Sequence, residues 1–299
     1  MQTIFEQLSI LYVFLLAGWL IGKLKKDKAD HADILSVLLV NILLPCKVFS
    51  TFANNFSPAY FAENYIMPLS ALVLLAALCV VSYFASKALT QNRYKRRVYN
   101  YSFVITNYGY LGYALIEAVF GESVLAKFML FAIPFIIYTY TAGYVLLVGG
   151  EKPLKKLLNP ITAAIVLGII AGFFGINVPD VAQSAISAAS ACVGPLSMLL
   201  TGITLSTFAF KELLSDKKAY IFSALRLVGI PAAVYFVCTA LQLEELLPMM
   251  LIITSMPCGL NPIVFPKLVG EDCKPGARLA LITHIFSMAT LPLWLSLIK

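Results

Sequence analysis

Long apolar runs alternate with short polar breaks from one end of the chain to the other. Read between the breaks, the pattern predicts ten segments, at 4–23, 33–53, 64–87, 97–120, 124–148, 159–177, 181–208, 218–242, 246–268 and 276–298. Each is close to the roughly 20 residues that a helix needs to cross a bilayer core. All the connections are short, which leaves no room for a separate soluble domain. The predicted fold class is an all-α polytopic membrane protein. The first segment, beginning "MQTIFEQLSI", has no positive flank and no small-residue cleavage site, so it reads as a retained span.

Two segments break the pattern. The ninth carries "TSMPCGLNPIVFPK" (254–267), with three prolines, a glycine and an asparagine at membrane depth. The fourth carries "NYGYLG" (107–112). Proline lacks an N–H and clashes with the preceding turn. Unpaired backbone in lipid costs several kcal/mol, so such breaks survive only inside protein or beside a water-filled cavity.

Composition sharpens the picture. Of the 299 residues 60% are hydrophobic and 12% charged, and the mean hydropathy is +0.87. The +7 net charge points to nucleic acid only until its placement is considered. Eighteen of the 22 Lys and Arg fall in the first, third, fifth, seventh and ninth loops, for example Lys23, Lys25, Lys26 and Lys28 in the first and Arg93, Lys95, Arg96 and Arg97 in the third. By the positive-inside rule these loops face the cytoplasm, which puts both termini on the non-cytoplasmic side of the cytoplasmic membrane. No nucleic-acid partner is needed. The six cysteines show no CxxC or Cys/His spacing, so they read as apolar fillers.

The two halves resemble each other. "FLLAGWLIG" (14–22) and "AIVLGIIAG" (164–172) align at the 150-residue spacing that also separates Pro45 from Pro195. "ITNYGYLGYALIEAVFGE" (105–122) aligns with "TSMPCGLNPIVFPKLVGE" (254–271), ending on Gly-Glu in both. Repeats at 1–150 and 151–299 are predicted. Five spans is an odd number, so the halves must be inverted. Inverted repeats with paired broken helices are a transporter pattern, with substrate bound near the midplane. Gly18/Gly22 and Gly168/Gly172 read as small-residue packing faces, either between the repeats or between protomers of a homodimer.

The ordered motifs "NILLPCKVF" (41–49), N-x-G-x-L-G and M-P-x-x-x-N resemble the auxin efflux carrier family across nearly the whole chain, in particular its short prokaryotic members. The resemblance implies the fold of bile-acid sodium symporters, with broken helices four and nine crossing. Spans 1, 2, 6 and 7 would form a scaffold, and spans 3–5 and 8–10 a transport domain. It also implies elevator-like carriage of a small organic anion, a mono- or dicarboxylate such as malate or malonate. Carried over by position, the crossover residues are Asn107, Gly109, Gly112, Pro257 and Asn261. Many relatives have a proline where this chain has Ala114, so span four is expected to be less sharply broken than span nine.

The residues themselves suggest further site candidates. Gly259 and Pro262 belong to the ninth break, and Tyr113 is a ligand-facing ring beside Gly112. Asn41 either satisfies backbone freed by Pro45 or faces the pathway. Lys47 either attracts an anion or snorkels outward. Arg226 either pairs with a carboxylate or snorkels toward the cytoplasm, and a structural role is expected. Glu117 is either a proton or cation site or the partner of a buried base, and His284 either titrates near neutral pH and couples H⁺ or packs as a hydrogen-bonded residue; the breaks are candidates for Na⁺, and an uncoupled carrier is equally open. No metal cluster, paired acidic motif or nucleophile–base pair is visible, so an enzyme and a bound cofactor are not expected. An anion channel or a ligand sensor on the same fold is the alternative.

Overall fold

The computed structural model describes residues 2–24, 28–149 and 158–298. The division between halves at 150/151, and the loop lysines Lys25, Lys26, Lys152, Lys155 and Lys156, lie outside the described residues. The helices are α1 Gln2–Leu24, α2 Lys28–Leu38, α3 Leu44–Asn55, α4 Pro58–Asn64, α5 Ile66–Leu89, α6 Arg93–Val104, α7 Tyr113–Phe120, α8 Glu122–Tyr140 and α9 Ala142–Val148. They continue as α10 Pro160–Phe174, α11 Asp180–Ala191, α12 Val193–Ser206, α13 Phe210–Leu213, α14 Lys217–Ala224, α15 Ile230–Ala240, α16 Leu247–Ser255, α17 Asn261–Leu268 and α18 Lys274–Ser296. Wide π turns at 39–43 and 225–229 join α2 to α3 and α14 to α15 without a break. Among the described residues, seven continuous helical stretches are long and apolar enough to cross a membrane, and α10 is a shorter apolar helix.

The helices are apolar on both faces. In α1, Ile4, Leu8, Leu11 and Leu15 are buried at helical spacing, while Val13, Leu16 and Leu20 are exposed. Likewise α5 buries Met67, Ala71, Leu74 and Leu78 and exposes Leu72, Val73 and Val80. A helix that shows its apolar side outward has hydrocarbon as its solvent.

Glycine determines which helices touch. Gly18 of α1 lies on the Leu199 backbone of α12, and Gly202 of α12 lies on the Leu15 carbonyl of α1. In the other half, Gly168 lies on Phe49 of α3, where an added Cβ would come 2.9 Å from the carbonyl oxygen, and Gly172 meets the Phe52 and Phe56 carbonyls. Both glycine pairs therefore pack within the chain, and each joins the first long helix of one half to a helix of the other.

The two predicted interruptions are present. Between α6 and α7 the chain is non-helical at 105–107 and then forms a wide π turn at 108–112. Between α16 and α17 it is non-helical from 256 to 260. The fourth break is thus the shorter, in keeping with its lack of proline. The methyl of Ala114 lies against Gly194 of α12. After each break the chain leaves its helix through a glycine at positive φ, Gly121 at +88° and Gly270 at +73°. These are the two aligned Gly-Glu pairs, and a side chain at either glycine would strain the turn.

The interruptions meet and satisfy each other. Thr106 and Cys258 form an antiparallel bridge, and the Asn107 N–H donates to the Pro257 carbonyl at 2.8 Å. The Thr106 hydroxyl donates to the Ile253 carbonyl at 3.2 Å, and the Cys258 N–H donates to Thr283 Oγ1 of α18 at 3.0 Å. The Asn107 carbonyl accepts from both Leu111 and Gly112. Gly276 lets α18 close onto the Pro262 backbone.

The glycine contacts are testable by contrast. Gly202→Ala forces α1 and α12 apart and costs about 1–3 kcal/mol, the usual price of overpacking. Gly229→Ala meets nothing nearer than Leu225 Cδ2 at 3.7 Å. In detergent the first variant lowers the thermal unfolding midpoint and the second leaves it unchanged; equal midpoints would contradict the packing account.

Candidate functional site

A cavity of about 70 Å³ lies where the two breaks meet. Asn107, Gly109 and Tyr113 line it from the fourth segment, and Gly259 and Asn261 from the ninth. Leu44 and Val48 of α3 and Ile161 of α10 close the other side. The cavity therefore sits between the glycine-packed helices and the interrupted ones.

Each wall has a local cause. The helical path toward α7 restarts at the turn beginning at Tyr108, and α17 starts at Asn261, so two helix N-termini border the same space. The first N–H groups of a helix lack intrahelical partners and carry partial positive charge. An ideal Cβ at Gly109 would meet no atom within 4 Å, so the backbone is open to the cavity there. At Gly259 a Cβ would come 3.3 Å from the Thr106 carbonyl oxygen, which explains a glycine at the bridge.

The two asparagines are held from behind. Asn261 Nδ2 donates to the Tyr101 hydroxyl at 2.9 Å. Asn107 Nδ2 is 3.1 Å from His284 Nε2, while His284 Nδ1 is 2.7 Å from the Ala280 carbonyl. A carbonyl only accepts, so Nδ1 carries the proton and Nε2 accepts from Asn107. The Tyr12 hydroxyl of α1 donates to the His284 carbonyl at 2.7 Å and lies 2.6 Å from Ser287 Oγ. His284 thus touches the site through Asn107 and does not line the cavity.

The other predicted residues fall elsewhere. Gly112, Pro257 and Pro262 shape the backbone of the breaks without lining the cavity. Asn41 is exposed, and its Nδ2 donates to the Val37 carbonyl at 2.9 Å, beside the π turn that precedes Pro45. Lys47 is buried and paired with Glu117, away from the meeting of the breaks. Sequence reasoning missed Thr139 and Tyr140, which line the cavity from α8. The run "YTYTAGY" (138–144) was the available signal, a polar cluster inside an apolar span.

Arg226 is the largest fully buried side chain among the described residues. Its guanidinium donates to the Thr254 carbonyl and, at 3.4 Å, to the Ile253 carbonyl, at the C-terminal end of α16 where the ninth segment breaks. It neither snorkels nor pairs with a carboxylate among the described residues. A cation at a helix C-terminus complements the dipole and supplies donors that the interrupted helix lacks. Arg226→Met leaves the buried Thr254 carbonyl without its side-chain donor, while the Ile253 carbonyl keeps the Thr106 hydroxyl, a loss of about 1–3 kcal/mol. Thermal unfolding in detergent shows this as a lowered midpoint, and an unchanged midpoint would contradict the capping role.

Comparison with known proteins agrees with this architecture. A family described as membrane transport proteins matches residues 3–152 and 142–295. The chain is 25% identical to the uncharacterized transporter MJ1031 of Methanocaldococcus jannaschii, over 95% of this chain and 96% of that protein. It is 22% identical to the uncharacterized transporter YfdV of Escherichia coli K12, over 95% and 94%. An uncharacterized transporter of Methanothermobacter thermautotrophicus is 23% identical over 96% and 95%. With apolar-faced helices throughout and the family match spanning nearly all of it, the chain belongs to the auxin efflux carrier-like family of membrane transport proteins.

Proposed function

We propose that this protein is a secondary transporter that carries a small organic anion, a mono- or dicarboxylate, across the cytoplasmic membrane. One observation carries the reading: two helix N-termini and two buried-side asparagines border a single cavity at the crossing of two broken segments. Partial positive charge and N–H donors suit a carboxylate, and the asparagine amides can donate without adding charge. The surrounding tyrosine rings offer an apolar wall for the rest of the ligand.

Counting each interrupted segment as one passage gives ten spans. The paired positive-φ glycines after the breaks, and the matched packing of α1 on α12 and of α10 on α3, support an origin in two inverted halves. In this reading the scaffold is built from the spans containing α1, α3, α10 and α12. The remaining spans form a transport domain that slides against it as an elevator. The loop charges place both termini outside. The small-residue faces are used within the chain, so a homodimer would need another surface. H⁺ or Na⁺ is the candidate coupling ion, with His284 behind Asn107 and Glu117 beside Lys47 as the candidate proton-handling groups.

Flux in proteoliposomes tests the assignment. Wild type takes up a labelled dicarboxylate with saturation and counter-flow stimulation. Asn261→Ala loses that flux by tenfold or more while remaining monodisperse, because a cavity donor is gone and only the Tyr101 hydroxyl loses a partner. Wild-type flux in this variant would remove the crossing from the substrate path.

A further inference from the structure

A second cavity, of about 190 Å³, lies between α1, α3, α7 and the α11–α12 helices. Gln7, Lys47, Glu117, Ser190 and Pro195 are among its lining residues. It shares two walls with the crossover cavity. On α3, Leu44 and Val48 line the crossover cavity and Lys47 lines this one; on α7, Tyr113 lines the first and Ala114 and Glu117 the second. Four residues of helix separate Tyr113 from Glu117, a rise of about 6 Å.

Its ion pair is asymmetric. The Lys47 side chain is 7% exposed and its one ionic partner among the described residues is Glu117, whose side chain is 41% exposed. A buried ammonium without a counter-charge is expensive, so this cation must always have an anion beside it. Glu117 is less enclosed, its side chain being the more exposed of the two, so it has room to turn away from Lys47 when displaced. The helices would not come apart when the pair opens, because Asn54 and Asn55 of α3 both donate to Glu122 at the start of α8, at 3.4 and 3.3 Å.

We propose that this cavity is a second anion site, where a small carboxylate takes the place of Glu117 on the Lys47 ammonium. The ligand class rests on the transport reading above, and the site is a stage one helical turn from the crossing. Glu117 is then a built-in competitor. It neutralises Lys47 when the site is empty and yields to the incoming carboxylate.

Opposite signs test the idea. Malonate binding is measured by calorimetry on purified protein in the Asn107→Ala background, so that the crossover cavity is disabled. Glu117→Gln removes the competitor and tightens malonate binding about tenfold, the factor that 1.4 kcal/mol represents. Lys47→Met abolishes it, and Lys47→Arg, which keeps the charge, retains it and controls for folding. If Glu117→Gln and Lys47→Met both weaken binding, the pair is a structural tie and the proposal is wrong. If the Asn107→Ala, Glu117→Gln double variant binds no malonate, the second site does not exist, whatever the crossover cavity does. If Asn107→Ala binds malonate as wild type does and Lys47→Met alone abolishes it, this site stands and the crossover reading fails.

Discussion

The structure depends on one constraint: backbone that leaves a helix inside a membrane must find its partners in the protein. Two segments leave their helices at membrane depth, and each supplies what the other lacks. The Asn107 N–H to Pro257 carbonyl bond, the Thr106–Cys258 bridge and the Thr283 hydroxyl on Cys258 complete the pairing. Arg226 adds donors at the end of α16. Without this mutual arrangement neither break would be tolerable in lipid. With it, the non-helical residues create two helix starts and a cavity that a continuous helix could not offer.

The rest of the structure holds that meeting of the breaks in place. Glycines bring α1 to α12 and α10 to α3 at backbone contact, giving a closely packed wall on one side. Leu44, Val48 and Ile161 of that wall face the cavity, so the closely packed helices and the interrupted ones share the site. The Tyr12–His284–Asn107 chain links α1 through α18 to the breaks. A movement of the interrupted helices against the wall would alter this chain and the Lys47–Glu117 contact together.

Much of this was legible in the sequence because lipid imposes a one-dimensional code. Apolar runs set the spans, loop lysines suggested the sides, and Pro257 with Asn261 marked the ninth break. The fourth break was weaker in sequence and is shorter in structure, since Asn107, Gly109 and Gly112 bend the chain without a proline. The Gly-Glu pairs were visible as an alignment, and their shared positive φ gives the reason. Partnerships between distant helices were not legible. Nothing along the chain tells Lys47 that Glu117 is its neighbour, or Asn107 that His284 stands behind it. Those contacts depend on helix rotation and register, which apolar periodicity leaves free when both faces of a helix are hydrophobic. Asn41 shows the same limit, being near Pro45 in sequence but turned away from the cavity.

The central claim is that the crossing of the two breaks binds a carboxylate by its charge. A thermal-shift titration of purified wild-type protein with malonate, set against its neutral dimethyl ester, tests this most directly, since a ligand that binds only the folded state raises its midpoint by an amount that grows as ln(1 + L/Kd), with L the ligand concentration. The account predicts a dose-dependent shift with malonate that Asn261→Asp reduces and the Asn261→Asp, Lys47→Met double variant abolishes, and none with the ester. Equal shifts from acid and ester, or a malonate shift unchanged by Asn261→Asp, would contradict it.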